Sequence, residues 1–352
     1  MAALQMRVFP RPGNSILGRE KGHFAKRRRP TRHARVKLTA LALLAVSPLV
    51  WADVTVTEKP GTFAIVVDGQ PFTEYHFGDA PHVYYHPVLG PGGVKMTRDY
   101  PMANTAGEEQ DHPHHRSLWF SHGDVNGVDF WGETASYKGT PKHPVGKIEH
   151  DGVVKATSGK ESGTLETRQK WNAPDGTTPL RSTQLLRVYS GPASERLVDF
   201  EVTLTAGEKD VVFGDTKEGS AGIRIAESMR LKQPKEPGKG TILNSEGDAN
   251  DKAWGKHAKW VAMTGPIGEK TYTITMMDHP SNLRHPTRWH ARDYGLFAAN
   301  PFCEGEMDKT AEKGSGAYTL KAGQSLTLKY RILFSEGDAT AAKASERFAA
   351  WK

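Results

Sequence analysis

Hydrophobic and polar residues alternate with a period of two over most of the chain beyond residue 53. Residues 62–77, TFAIVVDGQPFTEYHF, place two alternating runs on either side of an Asp-Gly pair, which predicts a β-hairpin. Residues 163–190 repeat the arrangement around Pro-Asp-Gly at 174–176. Further alternating runs predict strands at 196–206, 221–232, 270–278 and 324–336.

One segment departs from this pattern and predicts a helix. Residues 338–351, DATAAKASERFAAW, are rich in alanine, and Asp338 is placed to cap a helix there. Elsewhere short strands are separated by turns, in keeping with 36 glycines and 22 prolines. The chain therefore predicts an all-β fold, a large antiparallel two-sheet β-sandwich with a short C-terminal helix, formed by residues 53–352 as one domain.

The first 52 residues have the pattern of a secretory signal peptide. A basic stretch at 26–37 precedes an apolar run at 38–50, and Trp51-Ala52 ends the segment. Thirteen apolar residues are few for a bilayer-spanning helix. We expect cleavage after Ala52, a periplasmic or secreted protein, and no membrane span after signal removal.

The leader also accounts for the basic balance of the chain. It holds 11 of the 47 Lys and Arg residues and 1 of the 40 Asp and Glu residues, which leaves 36 basic and 39 acidic residues, a net charge of −3. This balance argues against a nucleic-acid partner. Cys303 is the only cysteine, so zinc–thiolate and iron–sulfur sites are excluded by ligand count.

Candidate chemistry concentrates in residues 108–133, which contain four histidines. Pro113 predicts an extended backbone at His112, so that His112 and His114 face one way and His115 the other. The strand that follows, RSLWF, places Leu118 and Phe120 inward. Four interpretations are open: a site for a divalent metal, acid–base chemistry, carbohydrate recognition, or structural hydrogen bonding.

Two later segments add similar residue types. Residues 276–303 again combine His, Pro, Arg and Trp. In residues 214–228, alternation places Gly222 and Arg224 on one strand face and Ile223 on the other, so Arg224 points away from the core.

Long motifs resemble a family of secreted bacterial proteins labelled either methane oxygenase PmoA or domain of unknown function. They include YYHPVLGPGGVKMTRDYPM, DHPHHRSLWFSHGDVNGVDFW, DTKEGSAGIRIAE and DHPSNLRHPTRWHARDYGLFAANPF, and the resemblance covers about residues 54–350. The oxygenase label disagrees with the sequence, because the membrane subunit of that name needs several spanning helices. A fold-level similarity to galactose mutarotase-like proteins, whose fold is a supersandwich, fits better. HHRSLW at 114–119 is similar to a mutarotase segment but lacks its glycine and spacing.

The leading hypothesis is an exported carbohydrate-binding or carbohydrate-processing protein whose ligand is a small molecule or oligosaccharide. Epimerase, lyase and hydrolase chemistry stay open, as does the question of whether it is an enzyme, and no cofactor is required. The expected catalytic residues are His115, His122 and His290. The expected substrate-binding residues are Arg98, Asp111, His114, Arg116, Trp119, Asp124, Asn126, Arg224, His279, Trp289 and Arg292. Alternatives are a metal-dependent enzyme or oxygenase with His112, His114 and His122 as ligands, and a non-catalytic sugar-binding module.

Overall fold

The structure is a computed structural model that describes residues 53–234, 237–340 and 342–351. The predicted signal peptide, residues 1–52, lies outside the described residues.

Two large antiparallel sheets dominate the described chain, which confirms the predicted fold class. The strands are β1 Val54–Lys59, β2 Thr62–Val67, β3 Gln70–His76, β4 Tyr84–Tyr85, β5 Leu118–His122, β6 Lys147–Thr157, β7 Ser162–Asn172, β8 Leu180–Tyr189, β9 Glu195–Ala206, β10 Val211–Phe213, β11 Gly219–Arg224, β12 Thr241–Asn244, β13 Trp260–Ile267, β14 Lys270–Asp278, β15 Arg288–Trp289, β16 Leu296–Asn300, β17 Tyr318–Leu320 and β18 Ser325–Glu336. Helices are short: α1 spans Glu304–Met307 and α2 spans Ala344–Ala350, with 3₁₀ turns at Pro91–Gly93, Thr134–Ser136, Glu227–Met229 and Asn250–Ala253.

The strand order places distant parts of the chain side by side. The first sheet runs β1-β2-β3-β4-β5-β11-β16-β15, and the second runs β12-β13-β14-β18-β9-β8-β7-β6. A small ribbon pairs β10 with β17. In the first sheet, β5, β11 and β16 are neighbours although about 180 residues separate the first from the last. The three segments with candidate chemistry, residues 108–133, 214–228 and 276–303, therefore contribute adjacent strands to one sheet.

The hairpin of β2 and β3 forms as the sequence predicts. Asp68 and Gly69 have φ values of 53° and 75°. Two successive positive φ values characterise the tight turns whose twist matches that of antiparallel strands, and Asp-Gly is the residue pair that adopts them most readily. The second predicted hairpin, β7 and β8, also forms, and the two strands pair from Ser162–Tyr189 to Trp171–Leu180.

Alternation along β5 and β11 divides the residues of the first sheet between two faces. Leu118, Phe120 and Ile223 belong to the main core between the sheets. Trp119 belongs to a smaller cluster with Tyr84, Trp131, Leu296 and Ala298 on the opposite, outer face. Loops cover this outer face, so Trp119 is fully buried there as well.

The C-terminal helix is shorter than the alanine pattern predicts. It begins at Ala344, because Lys343 has a left-handed φ of 50° and interrupts the helical geometry. No helix of the described residues has the length and hydrophobicity needed to cross a membrane.

Candidate functional site

A row of four residues crosses the outer face of the first sheet. Trp119 pairs with Gly222, and Gly222 pairs with Ala298. His290 follows β15 and exchanges backbone hydrogen bonds of 2.9 and 3.2 Å with Ala298. Directly opposed residues in antiparallel strands share a face, so Trp119 and His290 lie on the same side of the sheet.

A second row, two residues further along the strands, carries two arginines. Arg224 pairs with Leu296, and the Arg292 N–H donates to the Leu296 carbonyl at 2.7 Å. The two arginines therefore flank Leu296 on the outer face. The predicted direction of Arg224, away from the core, is confirmed. The covering loops nevertheless leave it 0% exposed.

The histidine segment above these rows forms a turn, which corrects the extended conformation predicted for it. His112 has φ 45°, and the His115 N–H donates to the His112 carbonyl at 3.0 Å. The three rings therefore lie together: the centroids of His112 and His115 are 4.8 Å apart, and those of His114 and His115 are 4.3 Å apart. The prediction that His115 faces away from His112 and His114 is wrong.

Hydrogen bonds from Arg98 hold His112 in the turn, although a residue before proline normally prefers an extended backbone. Arg98 Nη2 donates to the carbonyl oxygens of Asp111 and His112 at 2.8 and 3.1 Å, and its Nη1 donates to the Asp111 carboxylate. Its Nε donates to the Tyr100 carbonyl and its Nη1 to the Glu109 carbonyl, both at 3.2 Å. Arg98 is 0% exposed and all its N–H directions are engaged, so it positions the loop.

Asp111 links the turn to the sheet. Arg224 Nη2 donates to Asp111 Oδ1 at 2.7 Å, and Arg98 binds the same oxygen. The other oxygen, Oδ2, lies 2.6 Å from His112 Nδ1. Burial raises the pKa of Asp111, but the hydrogen bond with His112 and the charges of Arg224 and Arg98 outweigh burial and hold that pKa well below its usual range.

His112 differs from the other site histidines in its exposure. Its side chain is 39% exposed, whereas His115 and His290 are each 1% exposed. When Nδ1 donates to the ionised Asp111, Nε2 is left as a hydrogen-bond acceptor. This histidine–carboxylate pair is the arrangement that orients an imidazole for proton transfer.

The remaining histidines of the site are held neutral. Burial lowers the pKa of His115 well below its usual range, with His114 and Arg224 adding repulsion. Burial lowers the pKa of His114 to about 3, helped by His112 and His82. Burial also lowers the pKa of His290 to about 3, with repulsion from Arg292 and Lys217. Neutral imidazoles accept or donate hydrogen bonds next to the arginines without adding positive charge.

Several buried polar atoms around the two rows make no hydrogen bond with normal geometry to the described residues. They are His115 Nε2, both ring nitrogens of His290, Arg224 Nε, Ser220 Oγ and Trp131 Nε1. Buried polar groups are nearly always paired in proteins, so each unpaired group calls for an explanation, such as a water, an ion or a ligand. Unpaired atoms also occur elsewhere in the described structure, such as Gln184 Nε2 and Thr275 Oγ1, so the outer face is the candidate site because its unpaired atoms lie next to Arg224 and the three clustered histidine rings.

Tyr294 is a site residue that sequence reasoning missed. Arg224 and Arg292 lie 4.8 and 5.1 Å from its ring centroid, and the His112 ring stacks on it at 4.9 Å. Burial raises the pKa of Tyr294 to about 12, so its hydroxyl stays protonated. Its only sequence signal is position, in an Asp-Tyr-Gly turn two residues after Arg292.

His122 does not join the site. It continues the inward alternation of Leu118 and Phe120, and its ring packs against Phe213 and Phe302 at 5.7 and 5.1 Å. Its Nε2 lies 2.9 Å from the Gly214 carbonyl, and burial lowers its pKa to about 4. The strand places His122 on the face opposite Trp119, so the structure does not bring it to His115 and His290.

The tryptophans are buried, so neither offers an exposed stacking wall. Trp289 lies in the main core, and its Nε1 donates to the Ala258 carbonyl at 2.8 Å. Trp119 packs between Trp131 and His115, with ring centroids 5.0 and 5.4 Å away. The half-buried aromatic ring at the site is Tyr294.

Four other predicted residues make contacts away from the two rows. Arg116 forms a two-point ion pair with Glu133 at 2.7 and 3.0 Å. Asp124 accepts the Gly127 N–H at 2.9 Å, and Asn126 accepts the Val212 N–H at 2.7 Å. His279 contacts Ser281, and its ring packs against Trp351 near α2.

Within residues 53–234, 237–340 and 342–351, no three His, Cys, Asp or Glu side chains are grouped so as to hold a metal ion. His112 and His114 adjoin each other, but His122 lies on the other face of β5. The predicted ligand set is therefore not assembled in the described structure.

Comparison with known proteins identifies the family. A family model described as a family of unknown function, DUF6807, matches residues 62–349. The chain belongs to that family. No curated protein matches the chain, and nothing in these matches carries the methane oxygenase label.

Two solved structures overlap the chain loosely. One is an aldose epimerase (GalM) homologue from C. elegans, with 10% identity and a TM-score of 0.33 over 82% of this chain and 100% of that one. The other is a protein crystallised as HI1317, with 7% identity and a TM-score of 0.30 over 80% of this chain and 99% of that one.

Proposed function

We propose that this protein is an exported carbohydrate-processing enzyme in which His112, oriented by Asp111, transfers a proton to or from a bound sugar. The observation that carries the proposal is the 2.6 Å contact between His112 Nδ1 and Asp111 Oδ2 on the one site histidine whose ring is substantially exposed. The leader pattern at residues 1–52 supports action outside the cytoplasm.

The surrounding groups suit a polyhydroxylated ligand. Sugar hydroxyls both donate and accept hydrogen bonds, and the partly exposed groups of the outer face supply both: Arg292 donates, and Nε2 of His112 accepts. Tyr294 adds a half-buried aromatic surface next to His112. This combination of few polar contacts and one ring is typical of small-molecule sites.

The carboxylates of the site favour proton transfer over two-carboxylate hydrolysis. A conventional glycosidase needs two facing carboxyl groups, one of which acts as an acid. Asp111 is bound by two arginines and Glu133 by Arg116. Neither is free for that role, so epimerase or lyase chemistry is the better match to a histidine base.

The proposal is tested by turnover of a panel of neutral and acidic sugars and oligosaccharides, followed by NMR in heavy water. His112→Asn removes the base, and asparagine tolerates the left-handed φ at this position. We expect a loss of about 10²–10⁴-fold, the range for removal of a general acid or base. The control is His143→Asn, because His143 is also partly exposed, at 27%, and lies 4.0 Å from a single carboxylate, Asp124.

Three outcomes count against the proposal. Undiminished turnover by the folded His112→Asn variant would remove His112 from the mechanism. Saturable binding with no turnover of any sugar would favour the binding module. Loss of turnover on EDTA treatment, restored by a divalent metal, would favour the metal-dependent enzyme.

A further inference from the structure

The positive charges around Tyr294 exceed the negative charges that balance them. Arg98 and Arg224 share one carboxylate, that of Asp111. Arg292 forms no ion pair with any residue in the described ranges, and its guanidinium lies over Tyr294. The three arginines and one aspartate therefore leave an excess of two positive charges.

Neighbouring carboxylates reduce this excess but do not pair with Arg292, because they bind other cations. Glu218 pairs with Lys217 at 3.2 Å. Glu109 and Glu227 both bind Arg230. Asp293, next to Arg292 in sequence, lies 3.9 Å from Lys232. These four carboxylates face three cations, Lys217, Arg230 and Lys232, because Glu109 and Glu227 share Arg230. The excess over the whole group is therefore one positive charge, and Arg292 is the arginine of the group without an ion pair in the described ranges.

The excess charge is partly buried, which makes it costly without a partner. Arg224 is 0% exposed, and its Nε has no hydrogen-bond acceptor among the described residues. Cations at this depth are normally paired with an anion. Arg224 has Asp111 as its anion, whereas Arg292 is partly exposed and has none among the described residues, so a ligand's negative charge meets this face at Arg292.

The geometry limits where that negative charge sits. Arg224 and Arg292 flank Leu296 on adjacent strands, so their backbones are two strand spacings, about 10 Å, apart. Both guanidinium groups turn towards Tyr294 and lie 4.8 and 5.1 Å from its ring centroid. The His112 ring stacks on the same tyrosine, so Arg292 and the partly exposed imidazole both contact one aromatic ring.

We infer that the sugar taken by this site carries a carboxylate: the ligand class is the sugar acids, such as uronic acids, with Arg292 as the residue that binds the carboxylate. This inference rests on the proposed function. A carboxylate matches a guanidinium with two parallel hydrogen bonds, and its single charge suits one unpaired arginine.

Matched pairs of sugars test the inference by isothermal titration calorimetry at constant ionic strength. The pairs are glucuronate with glucose and galacturonate with galactose, and glucose 6-phosphate serves as a second anion. We expect at least one uronate to bind about tenfold or more tightly than its neutral partner. Arg292→Gln should abolish that difference, whereas Arg292→Lys, which keeps the charge without the two-point geometry, should retain part of it.

Arg168→Gln is the matched control, because Arg168 is an exposed arginine on β7 in the other sheet. It makes the same change in net charge and should leave the uronate preference intact. Thermal unfolding of each variant establishes that it is folded. Should Arg292→Gln fail to fold, Arg292→Lys carries the comparison.

The outcomes separate the inference from the proposed function. Equal or tighter binding of the neutral sugars overturns the inference and leaves a carbohydrate site in place. Tighter binding of the sugar phosphate than of either uronate overturns the carboxylate assignment. A uronate preference that persists in folded Arg292→Gln overturns the role of Arg292. Absence of binding by every sugar overturns both proposals.

Discussion

Gly222 provides a direct test of how tightly the site is packed. A Cβ atom built on Gly222 lies 2.9, 3.0 and 3.1 Å from Cζ2, Cη2 and Cε2 of Trp119. Carbon atoms in favourable contact are about 3.5–4.0 Å apart. The Trp119 ring is 0% exposed and is packed against Trp131 and His115, so it has little room to move away. Gly222→Ala therefore forces an overlap in the site itself.

Two opposing effects determine how much Gly222→Ala changes the free energy of unfolding. Replacing glycine by alanine within a strand is favourable by roughly 0.5–1 kcal/mol, because the unfolded chain loses freedom. Overpacking a rigid core costs roughly 1–3 kcal/mol. We expect Gly222→Ala to lower the free energy of unfolding by about 1–2 kcal/mol and to displace Trp119 towards His115.

Equilibrium urea unfolding of two single variants and their combination measures this effect. Trp119→Phe removes the three ring atoms that the new methyl meets, so the double variant should be more stable than the sum of the single changes by about 1 kcal/mol. Gly191→Ala is the control, because nothing lies within 4 Å of its built Cβ and its φ is not positive. We expect that variant to be neutral or slightly stabilised.

Either of two results would show that Gly222 and Trp119 are not tightly packed. One is a Gly222→Ala protein as stable as the wild type. The other is a double-variant cycle that is additive within about 0.5 kcal/mol, which is the behaviour of sites that do not touch.

Three further expectations follow from the same contacts. Asp111→Asn should lower the free energy of unfolding by on the order of 3 kcal/mol in urea, because Arg98 and Arg224 lose their shared carboxylate; a loss below about 1 kcal/mol would show that water satisfies them. Burial lowers the pKa of His290 to about 3 in the folded protein, against roughly 6.5 in the unfolded chain. Between these pH values the unfolded state binds more protons, so the free energy of unfolding falls as the pH falls. The contribution of the neutral ring to stability is complete above about pH 6.5. Unfolding at pH 7 and pH 5 should show a smaller loss for His290→Gln than for the wild type, by roughly 1–2 kcal/mol, and equal losses would contradict the burial of a neutral ring. Trp289→Phe should lower stability through loss of the bond to Ala258 but leave ligand affinity unchanged, and weaker ligand binding by the folded variant would place Trp289 at the site.

Local patterns in the sequence predict the long strands, but the strand predicted at 221–232 is too long, because β11 ends at Arg224 and a 3₁₀ turn follows at Glu227–Met229. Asp68-Gly69 predicts its turn because few residue pairs adopt two positive φ values cheaply. Alternation places Arg224 opposite Ile223 because successive side chains in a strand point to opposite faces. The same rule, extended from Leu118 and Phe120, also places His122 inward, so its exclusion from the site was readable from the sequence.

The assembly of the site depends on contacts that no local pattern encodes. The turn at His112 exists because Arg98, 14 residues earlier, binds its carbonyl oxygen. Tyr294 meets His112 because β5, β11 and β16 are neighbours in one sheet. Burial of Trp119 on the outer face depends on loops that cover it. Strand periodicity is a property of neighbouring residues, whereas the partners of a charge or a ring are set by the pairing of strands far apart in the chain, and only the tertiary structure decides that pairing.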